Sequence, residues 1–335
     1  MKNRIFYLFT MLIFMISCTT DPLNIDVSSV DFDIEHIDIV KAYDASGNLE
    51  SLAKVNSELN ASCTELYEFY TAEMLRVGMP LQDSTPFFIG RFLADSTMQL
   101  VNRKIATKFN GFNSYLPKVA DMFKHLKYHV PKAILPSKIV TYNSTFSNGV
   151  ISTPNFIGVG LEMYLGPEDD IVKKVPFPQY FKAKMNPEYL LPDICQSWLE
   201  YNVLEGVTEE SFLANLIYYG KVLYTIKAML PATADRAILR YSESDLLWAQ
   251  ENEYAVWQYI VQNNMVYDTK MKTMLRYFKP APTTVGFDGS PDRIGQYLGY
   301  QIISAYMNKN NEVSLKALIA EKNSTKILKS YKPKE

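Results

Sequence analysis

The sequence predicts a predominantly helical α+β domain that contains a small β-sheet. Apolar residues recur at intervals of three and four over most of the 335 residues, as they do on the buried faces of helices. Residues 139–142 and 156–161 are instead rich in β-branched and aromatic side chains, and from residue 189 onward the pattern is helical throughout. A hydrophobic content of 47% and an aromatic content of 13% allow one large core to form.

The first 18 residues have the pattern of a bacterial lipoprotein signal. Lys2 and Arg4 precede an apolar run over residues 5–16, which is too short to cross a bilayer as a permanent helix. A small residue then precedes Cys18 at the expected cleavage point. We therefore predict that residues 1–17 are removed and that Cys18 becomes a lipid-bearing first residue, which attaches the protein to a membrane.

The remaining sequence divides into a short tether and one domain. Residues 18–30 are polar and lack a helical period, so we expect them to link the lipid to the domain. Residues 31–335 contain no internal repeat and no composition shift typical of a domain linker. Because the signal holds two basic residues and no acid, its removal changes the net charge from −2 to −4. This charge is too weakly acidic to indicate nucleic acid or an anionic membrane surface as the main partner.

Helical periodicity predicts three helices in the first half of the domain. A short strand or extended arm at residues 34–43 precedes a helix over residues 57–77. A second apolar stripe covers residues 92–105. A third helix is expected over residues 115–130, where a following proline ends it.

Two β-strands are predicted in the middle of the chain. Residues 139–142 and 156–161 combine β-branched and aromatic side chains, which favour strands. Asn148 and Gly149 lie between these two runs and form a dipeptide that is typical of tight hairpin turns. We therefore expect the two strands to form a β-hairpin.

Two helices are predicted to form the core of the second half. Ser242 begins the first, with Asp245 three residues on in the spacing of a capping box. Trp248 and Trp257 lie on this helix, which we expect to be long and heavily buried. The second helix is expected to begin at Asp292. We expect three apolar residues of this second helix to share a core with the tryptophans, namely Ile294, Leu298 and Ile302.

The histidines His125 and His129 form the first candidate metal site. Side chains four residues apart lie on one face of a helix and can share a zinc ion. A zinc peptidase of the HExxH type needs a glutamate directly after the first histidine, and Leu126 occupies that position. The remaining histidine, His36, lies alone in the predicted arm. We therefore interpret the pair as part of the structure rather than as a catalytic metal site.

Two further features could have functional roles. Cys63 and Cys195 could form one disulfide in an oxidising envelope, but neither belongs to a CxxC pair, and we interpret both as small buried apolar residues. Asp292 and Arg293 could offer an anion site at a helix N-terminus. The interpretation that we favour is a plain cap with a solvated arginine beside it.

Several motifs in the second half resemble the gliding-motility-associated lipoprotein family called GldB. The likeness covers nearly the whole chain, and its most specific part lies between residues 218 and 306. The resemblance implies an envelope lipoprotein that is linked to gliding and to the type IX secretion apparatus. The motifs are Gly220–Tyr224, Leu230-Pro231, Trp248–Glu253, Arg276–Pro282, Pro291–Gly295, Leu298–Ile303 and Ser330–Pro333.

The GldB family in turn is distantly similar to zincin-type metallopeptidases. In those enzymes one helix carries the HExxH motif and a second helix supplies a glutamate as the third metal ligand. The resemblance implies that a peptidase-like cleft is present here and that its metal site is lost, so that neither a metal nor another cofactor is expected. The corresponding positions are Cys195, Gln196, Leu199 and Tyr219.

Together, these features favour a non-catalytic lipoprotein that supports gliding motility or type IX secretion by binding a protein partner or client in a helical cleft. One alternative is an active or residual metal-dependent peptidase or hydrolase with an unrecognised site, and another is a purely structural anchor. The residues after Cys18 lack the dense acidic run that resembles a surface-export signal in these bacteria. We therefore expect an outer-membrane lipoprotein whose domain faces the periplasm.

Overall fold

The computed structural model describes residues 22–207 and 211–334. The predicted signal, Cys18 and the start of the predicted tether lie outside this part of the chain. The described residues form a predominantly helical fold with one small mixed sheet, which confirms the predicted α+β class. None of their helices is both long enough and apolar enough to cross a membrane.

Part of the predicted tether packs against the domain. Leu23 is buried in the large hydrophobic core, and Val27 is buried as well. Backbone hydrogen bonds from Ile25 N to Leu23 O and from Val30 N to Val27 O fold this segment into turns. The described tether residues therefore follow the domain surface rather than extend away from it.

The described residues form four strands, β1 (Glu35–Asp38), β2 (Lys138–Tyr142), β3 (Val150–Ser152) and β4 (Phe156–Gly160). Their order in the sheet is β1-β2-β4-β3. The first three strands in this order are parallel, and β3 runs antiparallel to β4 at one edge. β2 and β4 are buried along nearly their whole length, which explains why their sequences are continuous apolar runs rather than alternating ones.

The predicted hairpin between β2 and β4 is wrong, because these two strands are parallel. The chain instead crosses the end of β4 through residues 143–149 and turns back along its other side as β3. Gly149 closes this loop, and its carbonyl accepts a hydrogen bond from Gly160 N at 2.7 Å. A Cβ at Gly160 would lie 2.2 Å from the Asn148 carbonyl oxygen, so the crossing requires glycine at that position.

Glu162 holds the loop 143–149 in place. Its Oε1 accepts hydrogen bonds from Ser144 N at 2.8 Å, from Phe146 N at 2.9 Å and from the Ser144 hydroxyl. Glu162 is fully buried, and burial raises the pKa of its carboxyl to about 7. Thr145 and Phe146 have φ angles of 57° and 60°, which bend the backbone around the carboxylate.

Six α-helices lie in the first half of the described chain: α1 (Ile39–Asp44), α2 (Leu49–Ser62), α3 (Thr64–Phe69), α4 (Thr85–Ala94), α5 (Ser96–Phe109) and α6 (Leu116–His129). The predicted helix at residues 57–77 is divided, because Cys63 interrupts it and a π-helical turn, Tyr70–Met74, follows α3. Asp95 separates α4 from α5 and caps α5 with its side chain. α6 confirms the third predicted helix, which stops before Pro131.

A small core of neutral polar groups lies between the sheet and the first helices. The Tyr67 hydroxyl donates to Asn56 Oδ1 at 2.9 Å and lies 2.5 Å from the Tyr43 hydroxyl. Since Tyr67 uses its single hydrogen on Asn56, Tyr43 is the donor in the second bond. Asn56 Nδ2 donates in turn to the Pro80 carbonyl oxygen at 2.6 Å. We call Tyr43, Tyr67 and Asn56 the tyrosine network.

Eleven α-helices follow the sheet in the described chain: α7 (Asp170–Lys174), α8 (Gln179–Ala183), α9 (Leu190–Asn202), α10 (Phe212–Met229), α11 (Asp235–Leu239), α12 (Glu243–Glu251), α13 (Glu253–Gln262), α14 (Met271–Phe278), α15 (Ile294–Lys309), α16 (Leu315–Ala320) and α17 (Ser324–Leu328). α10 and α15 cross with their backbones in contact. A Cβ at Gly220 would lie 2.2 Å from Gly299 O, and a Cβ at Gly299 would lie 2.1 Å from Leu216 O. Only glycine fits at these two positions.

The predicted tryptophan-bearing helix is in fact two short helices, α12 and α13. The Asn252 amide donates to the Trp248 carbonyl at 2.9 Å where α12 ends. Trp248 and Trp257 are only half-buried at the edge of the core, whereas Trp198 is fully buried. The capping box of Ser242 is confirmed. The predicted core residues of α15 are buried as expected, namely Ile294, Leu298 and Ile302.

Candidate binding cleft

A cavity of about 390 Å³, which we call the cleft, opens in the second half of the chain. Its lining comes mainly from α8, α9, the ends of α11 and α14 and the start of α15. Part of the lining is aromatic and part is charged. The charged residues are Lys184, Asp193, Glu200, Arg240, Lys279, Asp292 and Arg293.

Asp193, in the first turn of α9, is a buried carboxylate with two partners. Its Oδ1 lies 2.9 Å from Arg240 Nη1, and its Oδ2 accepts a hydrogen bond from the Tyr164 hydroxyl at 2.7 Å. Burial raises the pKa of the Asp193 carboxyl, and the Arg240 guanidinium opposes this shift. Both oxygens are therefore engaged by groups of the protein itself.

Asp292 and Arg293 form a second buried ion pair, so the predicted plain cap with a solvated arginine is wrong. Arg293 Nε lies 3.0 Å from Asp292 Oδ2, and Arg293 Nη2 donates to Asp292 Oδ1 at 3.4 Å. Only 3% of Asp292 and 6% of Arg293 is exposed. Asp292 lies outside α15, and the residue at the N-cap position is Arg293. Packing of Tyr241, whose hydroxyl donates to Asp292 O at 2.8 Å, helps to keep this turn away from solvent.

Lys184 connects the two ion pairs. Its ammonium donates to the Arg240 carbonyl oxygen and lies 3.6 Å from Asp292 Oδ1. Arg240 Nη2 donates back to the Lys184 carbonyl oxygen at 3.2 Å. Burial lowers the pKa of Lys184, and the nearby Asp292 carboxylate opposes this shift. Three cations and two carboxylates thus form one connected charged cluster.

Arg240 and Arg293 both adopt left-handed backbone conformations, with φ angles of 57° and 53°. Such angles are unfavourable for long side chains, and strained residues of this kind concentrate at functional sites. Arg240 is the C-cap of α11 and Arg293 the N-cap of α15. The strain therefore coincides with the two points at which guanidinium groups enter the cleft lining.

The aromatic part of the lining includes Tyr180, Phe181, Tyr219 and Phe278. The rings of Tyr219 and Phe278 stack with their centroids 5.4 Å apart and their planes at 15°. Gln296 Nε2 donates to the Phe278 carbonyl at 2.8 Å and fixes this residue against the start of α15. The cleft therefore offers flat apolar surface together with the charged cluster.

The four positions predicted to correspond to a lost metal site do not converge. Gln196 and Tyr219 line the cleft, but Cys195 and Leu199 are fully buried in the hydrophobic core. The Cys195 thiol lies 3.4 Å from Met122 Sδ, and burial raises its pKa. An amide, a phenol ring stacked on Phe278 and a buried thiol do not make a metal-ligand set.

The other candidate metal and disulfide residues have structural surroundings. His125 is buried and His129 half-buried, and burial lowers the pKa of both imidazoles. His36 Nε2 lies 2.9 Å from Thr141 Oγ1 in the sheet. Cys63 and Cys195 are both buried and free, as interpreted from the sequence. In the described part of the chain, no group of three His, Cys, Asp or Glu side chains is placed to share a metal ion.

Residues 20–333 match the family model described as gliding motility protein GldB. The chain belongs to this family. The match confirms the family predicted from the sequence motifs and implies a role in gliding motility, and the lipoprotein name of the family suggests an envelope location. No curated protein and no solved structure matches the chain, so the resemblance to zincins stays a prediction.

Most of the charged cluster of this GldB family member was missed from the sequence. Asp292 and Arg293 were noticed as neighbours, but their burial was not predicted. Lys184, Asp193 and Arg240 lie on three separate elements and give no local signal. A charged residue in the first turn of an apolar helix, such as Asp193 in α9, normally indicates a solvated helix start.

Proposed function

We propose that this protein is a non-catalytic envelope lipoprotein that supports gliding motility, and with it type IX secretion, by holding a protein partner or client in the cleft. The observation that carries the proposal is the cleft itself, where a buried charged cluster borders an open cavity beside stacked aromatic rings. Concave sites of this mixed composition are typical of recognition sites, in which aromatic residues anchor and fixed polar groups orient.

The hydrogen bonding of Asp193 and Asp292 favours a binding role over a catalytic one for these two carboxylates. A general base needs an oxygen within reach of the proton that it abstracts. Both oxygens of Asp193 are engaged by Arg240 and Tyr164, and both oxygens of Asp292 by Arg293. These carboxylates therefore fix the positions of the arginines, which suits a preformed recognition surface.

Photo-crosslinking in the native envelope tests the partner. A photo-crosslinking amino acid at Lys279, which lines the cleft, should capture a discrete protein that mass spectrometry identifies. The same amino acid at Lys54, whose side chain is 78% exposed on α2, is the control and should not capture that protein. Equal capture at both positions, or none at Lys279, would contradict a partner in the cleft.

A cleft-filling substitution tests the link to motility. Gln196→Trp places a large ring in the cleft without breaking either ion pair, so cells should keep normal levels of the protein and lose gliding. Gln250→Trp adds the same ring at an exposed position on α12, and cells that carry this control variant should glide normally. Normal gliding of the Gln196→Trp cells would show that the cleft is not used.

The proposed location at the outer membrane, facing the periplasm, rests on the predicted lipid at Cys18 and on the lack of a dense acidic run after it. Cys18→Ala should leave the protein unprocessed or release it from membranes, as fractionation and immunoblotting would show. Protease added to intact cells should leave the domain undigested. Digestion of the domain would indicate that it faces outward.

The alternative function is a metal-dependent peptidase or hydrolase with a zincin-like site. Our proposal predicts well under one zinc per chain by elemental analysis of the purified protein, and no change in partner capture after treatment with a chelator. Stoichiometric zinc together with chelator-sensitive turnover of a peptide library would favour the alternative, since catalytic zinc sites keep three protein ligands and an open position.

A further inference from the structure

The charged cluster of the cleft has one more positive than negative group. The cluster contains three cations, Lys184, Arg240 and Arg293, and two carboxylates, Asp193 and Asp292. The lining contains one further acid and one further base, Glu200 and Lys279, which interact and cancel each other in the charge count. Asp245, in the first turn of α12 and outside the lining, offsets part of this charge at Lys184. Within the lining one positive charge is left over where water is partly excluded, so it would attract a single negative charge more strongly than a surface lysine does.

One hydrogen-bond donor of the cluster has no acceptor. Arg240 uses Nη1 on Asp193 and Nη2 on the Lys184 carbonyl, while its Nε is buried and has no hydrogen-bond partner. A buried donor without an acceptor is unfavourable, and most such groups in proteins are satisfied by a side chain, a water or a ligand. An oxygen of a ligand that reached this nitrogen would give the donor an acceptor.

The rest of the lining favours an apolar group beside that negative charge. Phe181, Tyr219 and Phe278 present ring surface to the same cavity that the charged cluster borders. A volume of about 390 Å³ holds one large side chain with its neighbouring backbone, and lies at the small end of ligand pockets. A dianionic phosphate fits less well, because Asp193 and Asp292 would repel its second charge.

We propose that the cleft binds a carboxylate that is joined to an aromatic or aliphatic group. This inference rests on the proposed function, in which the carboxylate belongs to the protein partner. It is either the side chain of an aspartate or glutamate beside an apolar residue or the terminal carboxylate of an apolar last residue. The arginines held by Asp193 and Asp292 provide the charge-assisted donors, and the stacked rings of Tyr219 and Phe278 receive the apolar group.

Binding of hydrocinnamate, an aryl carboxylate, to the purified full chain tests the chemistry. Isothermal titration or ligand-observed NMR should show at least about tenfold tighter binding of hydrocinnamate than of its uncharged amide, because charge-assisted bonds are roughly twice as strong as neutral ones. Equal binding of acid and amide would overturn the proposal. This comparison uses the unmodified protein and does not depend on the folding of a variant.

Variants assign the binding to the charged cluster. Arg240→Gln should weaken hydrocinnamate about tenfold or more, since it removes the surplus positive charge. The matched control is Arg236→Gln, on the helix that Arg240 caps but outside the cleft, where Arg236 pairs with Glu188 at 2.7 Å. This variant should bind hydrocinnamate as the unmodified protein does. Equal loss in both variants would overturn the assignment.

Competition experiments separate the possible sources of the anion. Inorganic phosphate should displace hydrocinnamate poorly, and displacement at equal concentration would overturn the preference for a carboxylate. Two dipeptides distinguish a terminal carboxylate from an acidic side chain. The first has a blocked N-terminus and ends in a free phenylalanine carboxylate, and the second is amidated and contains glutamate beside phenylalanine. Tighter binding of either one supports the proposal and names the source, whereas equal binding of a neutral dipeptide counts against it.

The two proposals can fail separately. Suppose that a discrete partner is crosslinked at Lys279 but hydrocinnamate binds no better than its amide. The cleft would then remain a protein-binding site, and the proposal that it binds a carboxylate would be wrong. A clear preference for hydrocinnamate, with no partner captured and normal gliding of Gln196→Trp cells, would instead keep the ligand chemistry and remove the proposed function.

Discussion

The tyrosine network and the charged cluster of the cleft both bury polar side chains, but they satisfy them in different ways. Tyr43, Tyr67 and Asn56 form a chain of neutral hydrogen bonds next to the sheet. The cleft instead pairs Asp193 with Arg240 and Asp292 with Arg293. Loss of one neutral partner costs about 1–3 kcal/mol, whereas loss of one partner of a buried ion pair costs about 3–5 kcal/mol. Loss of one side chain from the charged cluster should therefore destabilise the protein more than loss of one hydroxyl from the tyrosine network.

The largest expected effect breaks an ion pair. Arg293→Met should lower the free energy of unfolding by about 3–5 kcal/mol, because it leaves the Asp292 carboxylate, 3% exposed, without its main partner. Urea denaturation measures this change. The double variant Asp292→Asn, Arg293→Met should recover much of the loss, since it removes the unpaired charge. A loss below about 1 kcal/mol in the single variant would mean that the pair behaves like an exposed one.

Glu162 is an intermediate case, because a single buried carboxyl there has only neutral partners. Its pKa is about 7 when folded and 4.5 when unfolded, so the folded state binds the proton more tightly. The protonated carboxyl therefore stabilises the folded state fully below pH 4.5, and this stabilisation is lost as the pH rises through about 7. The decrease should reach about 3 kcal/mol. Unfolding measured across this range should show the slope, and Glu162→Gln should abolish that part of it.

The smallest expected effect breaks the tyrosine network. Tyr67→Phe removes the hydroxyl that links Tyr43 to Asn56 and should cost about 1–2 kcal/mol. Tyr128→Phe, at a residue that is 53% exposed, is the matched control and should change the free energy of unfolding by less than about 0.5 kcal/mol. If Tyr67→Phe destabilised the protein as much as Arg293→Met, the difference between the two regions would not hold.

The elements that the sequence predicted best are those whose signal is burial itself. α6 shows its helical periodicity because one side of it is covered, whereas α15 is rich in apolar residues because its first two turns are buried on all sides. The strands β2 and β4 were found for the same reason, but their parallel pairing depends on the loop that Glu162 holds, a contact distant in sequence. The break between α12 and α13 coincides with a side-chain hydrogen bond from Asn252 to the Trp248 carbonyl, which periodicity does not reveal.

The cleft was harder to predict, because charged residues in a sequence normally indicate solvent exposure. Asp292 and Arg293 are adjacent in sequence and were visible as a pair, yet their burial depends on Tyr241 and Lys184 from other elements. The distant resemblance to zincins pointed to Gln196 and Tyr219, which do line the cleft, and also to Cys195 and Leu199, which do not. Neighbouring side chains on a helix point in different directions. Some residues of a motif that lies beside the cleft therefore face the hydrophobic core, and others face the cavity.

The crossing of α10 and α15 determines how the cleft responds to whatever enters it. Tyr219 directly precedes Gly220, and Gln296 lies about one turn before Gly299, so both helices reach the cleft beside their point of contact. Helices whose backbones touch cannot slide or rotate past each other without collision, because the interior is closely packed. This side of the cleft is therefore pre-organised, and a ligand that fits it loses little affinity to ordering the protein.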